Sequence, residues 1–132
     1  MKRFLQGALL LGMAAVATGA AVAADFDGSK PLLCATIEAH DCDAGENCAR
    51  SLPDSLGLPQ FIRIDFAGQV ITGPKRTTAI KSIERSPGQV LVQGTELGFG
   101  WTLALDTANG KLAASFVNGE SAVIVFGACT PL

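Results

Sequence analysis

The densest group of side chains that could do chemistry lies in one polar stretch, residues 40–48, which reads HDCDAGENC. Calcium prefers carboxylate and amide oxygens, and this stretch offers them at Asp41, Asp43, Glu46 and Asn47. The calcium-loop pattern is incomplete, because no third acid or amide precedes the glycine and no glutamate closes the loop. We therefore predict no metal and no cofactor, and treat Asp43, Glu46 and Asn47 as candidate contacts for a ligand or partner.

Zinc and histidine-dependent catalysis both depend on His40, the only histidine in the chain. A zinc site formed with Cys42 and Cys48 would need free thiolates, which an oxidising compartment removes. A Ser-His-acid catalyst would have to use His40, and the chain has no Gly-x-Ser-x-Gly nucleophile elbow. We interpret His40 as a surface histidine beside a disulfide.

A hydrolase with paired carboxylates needs no histidine. Glu84, Glu96 and Asp106 lie on or near different predicted strands and could converge. Most acids on strands of this kind face solvent instead. We predict that the protein is not an enzyme, with a small cell-envelope hydrolase using these acids as the alternative.

A glycine-rich segment, residues 94–101 (GTELGFGW), carries the only tryptophan. Gly98 and Gly100 could make a mobile lip that exposes Phe99 to a ligand, so Phe99 is a further candidate contact. The favoured interpretation of the segment is a strand connection in which Trp101 anchors the core.

The only concentration of basic side chains falls in residues 75–85, at Lys75, Arg76, Lys81 and Arg85. A stripe of such residues could bind an anionic ligand. A charged sheet edge that discourages pairing with another sheet explains them as well, and we favour it.

The first 24 residues indicate the cellular location of the protein. A basic start at Lys2-Arg3 leads into an apolar run, and small residues precede Asp25, which is the pattern of a signal peptide cleaved after Ala23 or Ala24. The remaining chain has no apolar run of membrane-spanning length, and we expect it in the periplasm or secreted, without stable membrane insertion.

Net charge limits the classes of partner. Loss of Lys2 and Arg3 leaves eight of the ten basic residues against 12 acidic ones, a formal charge of −4. Nucleic-acid binding needs clustered Lys and Arg against phosphate, so we exclude it and expect an unknown protein or small ligand as partner.

Four cysteines in an exported chain predict two disulfides. We favour Cys34–Cys129 with Cys42–Cys48, because one pair joins the two ends of the apolar-patterned region and the other closes a turn-rich loop. The alternative is Cys34–Cys48 with Cys42–Cys129.

Apolar periodicity predicts one all-β domain over residues 32–132. Residues 25–31 read as a flexible arm, Leu32–Ala39 as a first strand, and 40–60 as a crosslinked loop with a helical turn near 49–51. From Phe61 onward, short alternating segments separated by turn signals predict an antiparallel meander. Its apolar face must be buried, so we predict closure into a small barrel, with a β-sandwich as the alternative.

Four segments resemble a family of small, uncharacterised, exported bacterial proteins: Leu-Leu-Cys34, the Cys42/Cys48 loop, residues 58–65 (LPQFIRID) and residues 125–130 (VFGACT). The resemblance implies a secreted, disulfide-bearing domain and no activity. A looser architectural likeness is to the C-type lysozyme inhibitors, small exported β-barrels with a terminal cysteine bridge. Their Ser-Gly-x-Arg-Tyr-type inhibitory segment has no counterpart here, so no inhibitory residue is carried over.

The sequence thus favours a non-catalytic periplasmic or secreted binding module, with the 40–60 loop and the 94–100 segment as its recognition surfaces. Crosslinked loops lose little entropy on binding. The alternatives are the hydrolase described above and a structural envelope protein without a ligand.

Overall fold

The computed structural model describes residues 24–132, so the predicted signal peptide lies almost wholly outside the described residues. The described part forms ten β-strands and one 3-10 helical turn, Pro53–Leu56. The strands are β1 Leu32–Asp43, β2 Ala49–Ser51, β3 Phe61–Asp65, β4 Val70–Thr72, β5 Thr77–Ala79, β6 Ser82–Ser86, β7 Gln89–Glu96, β8 Phe99–Asp106, β9 Lys111–Val117 and β10 Ser121–Pro131.

All ten strands belong to one antiparallel sheet. Nine follow the order β5-β4-β3-β1-β10-β9-β8-β7-β6, and β2 pairs with the second half of β1. The sheet curls into a half-barrel, and its two ends approach each other where the Thr78 hydroxyl donates to the Thr95 carbonyl at 3.3 Å. Nearby, the Lys81 amide donates to the Gln93 carbonyl at 2.8 Å. The prediction of an antiparallel all-β fold is confirmed, and the curl is that of the preferred barrel.

The core lies on the concave face of the sheet and follows the strand period of two. On β8, Trp101, Leu103 and Leu105 are buried, and they pack beside the buried Val90 and Val92 of β7. Trp101 is only 4% exposed, which confirms its interpretation as a core anchor.

The first and last strands are neighbours, and a disulfide joins them. Cys34 on β1 lies directly opposite Cys129 on β10, and the two are bonded. Cys42 is bonded to Cys48 across the short loop after β1. The favoured pairing is therefore confirmed and the alternative pairing is wrong.

Residues 40–60, predicted as a crosslinked loop, contain more regular structure than expected. β1 continues to Asp43, and residues 49–51 form β2 instead of a helical turn because their backbone groups pair with residues 39–41 of β1. The helical turn comes later, at Pro53–Leu56, where proline favours the first helical position and Gly57, in the left-handed region at φ 72°, ends it.

The predicted flexible arm, residues 25–31, packs against the domain. Phe26 is partly buried against the core, and Arg85 Nη2 on β6 donates to the Gly28 carbonyl at 3.1 Å. The aromatic ring of Phe26 supplies the apolar contact that holds this otherwise polar segment against the domain.

Removing both cysteines of one disulfide at a time should give unequal losses of stability. The bonds span sequence separations of 95 and 6 residues. In the chain-entropy model the Cys34→Ala/Cys129→Ala variant loses about 4–5 kcal/mol and the Cys42→Ala/Cys48→Ala variant about 2. Urea unfolding followed by circular dichroism measures both, and equal losses would contradict the entropic account.

Gly94→Ala should destabilise the core, because a Cβ there would collide with the Trp101 ring and lie 2.8 Å from the Ala79 carbonyl oxygen. Overpacking of this kind costs about 1–3 kcal/mol. Urea unfolding followed by Trp101 fluorescence measures the change. Gly119→Ala is the control, since nothing lies within 4 Å of its added Cβ, and a similar loss in both variants would rule out the steric explanation.

Candidate functional site

A β-bulge in β1 decides which side chains reach the convex surface. The pairing of β1 with β10 shifts between Thr36 and Glu38, which leaves Ile37 as an extra residue. A shift of one residue turns every later side chain to the other face. Without the bulge, strict alternation from Leu32 and Cys34 would point Glu38 and His40 into the core and Ala39, which is fully buried, toward solvent. Burying an unpaired carboxylate is costly. The bulge avoids this cost, because it places Glu38 and His40 on the convex face and Ala39 in the core.

Three ionisable side chains meet just after the bulge. Glu38 Oε1 accepts a hydrogen bond from His40 Nε2 at 2.8 Å, and Glu38 Oε2 accepts one from Arg50 Nη2 at 2.8 Å. β2 provides Arg50 directly opposite His40. The hydrogen bond from His40, supported by Arg50, lowers the pKa of Glu38 below its ordinary value. The result is a carboxylate held in its charged form and compensated on both oxygens.

Exposed apolar side chains gather around the same point. The described part of the chain exposes eight large hydrophobic side chains, and five of them lie on or beside residues 33–40 of β1. We call these five the bulge patch: Leu33, Ile37, Leu52, Phe61 and Phe126. Such a concentration on one face distinguishes a surface from the scattered exposure that is normal for proteins.

The strand register places the patch across β1. Phe61 on β3 lies opposite Ala35, and Phe126 on β10 lies opposite Glu38. The Phe126 ring also meets His40 edge-on, with the ring centroids 6.1 Å apart. The two phenylalanines therefore lie on opposite sides of β1, with the charged group next to one of them.

Two side chains of the bulge patch line a shallow depression beside the bulge. Ile37 and Leu52 form its apolar walls, and Glu38, Arg50 and Ser51 form the rest of a space of about 380 Å³. The side chains of Ile37 and Leu52 are 61% and 62% exposed, so the depression is open to solvent and joins the patch.

The contacts predicted from sequence lie elsewhere. Asp43, Glu46 and Asn47 are exposed in the crosslinked loop, and Phe99 begins β8 at the same end of the sheet. Three strand spacings separate β1 from β8 in the sheet order, or about 14 Å, so these residues do not form one site. Phe99 is half-buried, and the exposed large apolar side chain of that hairpin is Leu97, in the turn.

The acids weighed as calcium ligands in residues 41–46 do not form a metal-binding cluster. No group of three or more His, Cys, Asp or Glu side chains in residues 24–132 is placed to hold a metal ion.

The three acids considered for hydrolysis do not converge. Glu96 ends β7 and Asp106 lies opposite the first residue of β7, so they are a strand length, about 24 Å, apart. The backbone of Glu84 on β6 is about 12 Å from that of Asp106 by the same strand spacings, and the Asp106 carboxylate is occupied by two hydrogen bonds from its own turn. Paired-acid glycosidases need carboxyl groups about 5–10 Å apart. Glu96 instead faces Arg76 at 3.8 Å.

The basic residues are spread over about one strand length. Arg76 faces Glu96 at the far end of β7, whereas Arg85 lies opposite Val90, near the start of that strand. About 20 Å separates the two positions along the strand. Arg85 lies on β6, which ends the sheet order, as the edge interpretation expects.

Scans against protein-family models, curated proteins and solved structures each found no match to this chain. The resemblance to exported bacterial proteins therefore remains a prediction, and the functional argument depends on geometry. None of the helical structure in the described part of the chain could span a bilayer.

The pKa of Glu38 should rise toward its ordinary value in His40→Ala and, to a smaller extent, in Arg50→Ala, because His40 makes the larger contribution to lowering it. A lowered pKa in the folded state stabilises the fold above the unfolded-state pKa, and this stabilisation is lost as the pH falls through the folded-state value. Carboxyl carbon NMR titration measures the pKa.

Asp27 is the internal control for this titration. Hydrogen bonds from Ser29 lower its pKa, and neither substitution touches Ser29. An unchanged Glu38 titration in His40→Ala, or an equal rise for both carboxyls, would contradict the assignment.

Proposed function

We propose that this protein is an exported, non-catalytic binding module that contacts a protein partner through the bulge patch. The observation that carries the proposal is the concentration of exposed apolar side chains on one rigid face. With about 200 Å² for a fully exposed large apolar side chain, the exposed fractions of 36, 61, 62, 54 and 46% correspond to about 500 Å² of apolar surface. The largest apolar patch on an ordinary monomer is about 300–600 Å² and is often functional.

A protein fits this surface better than a small molecule does. Small-molecule sites enclose most of their ligand in a concave pocket, whereas the depression between Ile37 and Leu52 is shallow and open. Protein interfaces are flat and enriched in aromatic residues and arginine. Phe61, Phe126 and the exposed Arg50 supply these residue types.

The scaffold supports binding with little loss of entropy. The bulge lies between Cys34 and Cys42, each of which is in a disulfide. Side chains on a strand that is fixed at two points lose less freedom on binding than side chains on a free loop. The two disulfides also agree with an oxidising location, and we propose the periplasm or the exterior.

A photo-crosslinking amino acid at position 52, introduced in the producing cell, should give discrete covalent adducts because Leu52 lies in the bulge patch. The matched control is position 97, whose leucine is 72% exposed but lies at the hairpin turn outside the patch. Denaturing electrophoresis and mass spectrometry detect the adducts. The absence of adducts at position 52, or equal adducts at both positions, would argue against the proposal.

A further inference from the structure

We infer that the partner is a second copy of this chain, packed against the first through the bulge patch on a two-fold axis. This inference rests on the proposed function and names its partner. A two-fold interface uses the same surface on both subunits, so it requires one patch of sufficient area that is compatible with itself.

The area of the patch meets the requirement. A standard stable interface buries about 800 Å² per partner, of which about 56–65%, or 450–520 Å², is apolar. The five side chains of the bulge patch expose about 500 Å² between them. One patch therefore supplies the apolar part of one side of a dimer.

The charge of the patch also permits self-association. The chain beyond residue 24 carries a formal charge of −4, so two copies repel each other in general. Glu38, inside the patch, is compensated on both carboxylate oxygens by His40 and Arg50. Asp54, two residues after Leu52, lies beside the patch and accepts a hydrogen bond from the neutral Gln60 Nε2 at 3.4 Å. Arg63, opposite Leu33, is an exposed cation beside the patch. The carboxylate within the patch is therefore compensated, and the charges beside it are of both signs.

Small side chains cover the sheet between the two phenylalanines. Ala35 on β1 and Ala128 on β10 are opposite each other, and Phe61 flanks Ala35 on the other side. Facing sheets pack about 10 Å apart through interdigitating side chains. Small residues beside Phe61 and Phe126 leave room for the corresponding rings of a second copy.

Sedimentation velocity on the oxidised full chain, expressed with its own leader, tests the inference. The wild type should sediment as a dimer. Phe126→Ser should raise the dimer dissociation constant at least about tenfold, since burying such a side chain is worth more than one factor of ten in affinity. Ile37→Lys is a second variant that places a charge in the patch. Leu97→Ser, a change of a more exposed residue outside the patch, should sediment as the wild type.

Circular dichroism and free-thiol titration verify that each variant is folded and oxidised. A wild type that sediments as a monomer at every concentration would overturn the inference, as would a dimer that both patch variants leave unchanged. If the wild type is monomeric while position 52 still crosslinks to a different protein, the proposed function stands and only the identity of the partner is wrong. If position 52 gives no adduct either, both fail.

Discussion

The register of β1 is the constraint on which the rest of the structure depends. β1 pairs with β10 over nearly its whole length, and on its other side with β3 and then β2. A slip of one residue on this strand would reverse the inward and outward side chains against three neighbours at once. Because Ile37 is an extra residue, the positions that face the core change from even-numbered to odd-numbered halfway along the strand. Leu32 and Cys34 are buried before the bulge, and Ala39 is buried after it.

The two disulfides fix the strand on either side of this reversal. Cys34 is bonded to the last strand, β10, and Cys42 is bonded to Cys48 just before β2. The first bond closes nearly the whole domain, which reduces the entropy of the unfolded chain most. The second shortens the path from β1 to β2 and so helps to place Arg50 opposite His40. The hydrogen-bonded group of Glu38, His40 and Arg50 therefore depends on both disulfides.

The sequence predicted those features that depend on local pattern. Alternating apolar residues identified the later strands, and the four cysteines suggested the pairing that the structure has. Trp101 lies in the core, as its pattern predicts. These features follow from strand periodicity and from chain ends that must meet, and both can be read without coordinates.

The candidate site could not be predicted in the same way, because it depends on the alignment of distant segments. Phe61 and Phe126 are 65 positions apart in the sequence, and only the pairing of β1 with both β3 and β10 brings them to one face. The sequence carries no signal for the bulge, because Leu33, Ala35, Ile37 and Ala39 alternate as one unbroken apolar series. That series predicts that Leu33 and Ile37 face the core, whereas both are exposed in the structure.

The bulge patch also shows that folding and surface composition are separable in this domain. The core is complete on the concave face, where Leu32, Ile64 and Leu105 are almost fully buried, and Phe61 and Phe126 add no side chain to it. Polar residues at these two outward positions would satisfy the strand period equally well. Exposed phenylalanines increase the risk of aggregation without contributing to this core. The proposed binding role would account for aromatic residues at these positions, since proteins commonly keep residues for function where polar ones would serve the fold better.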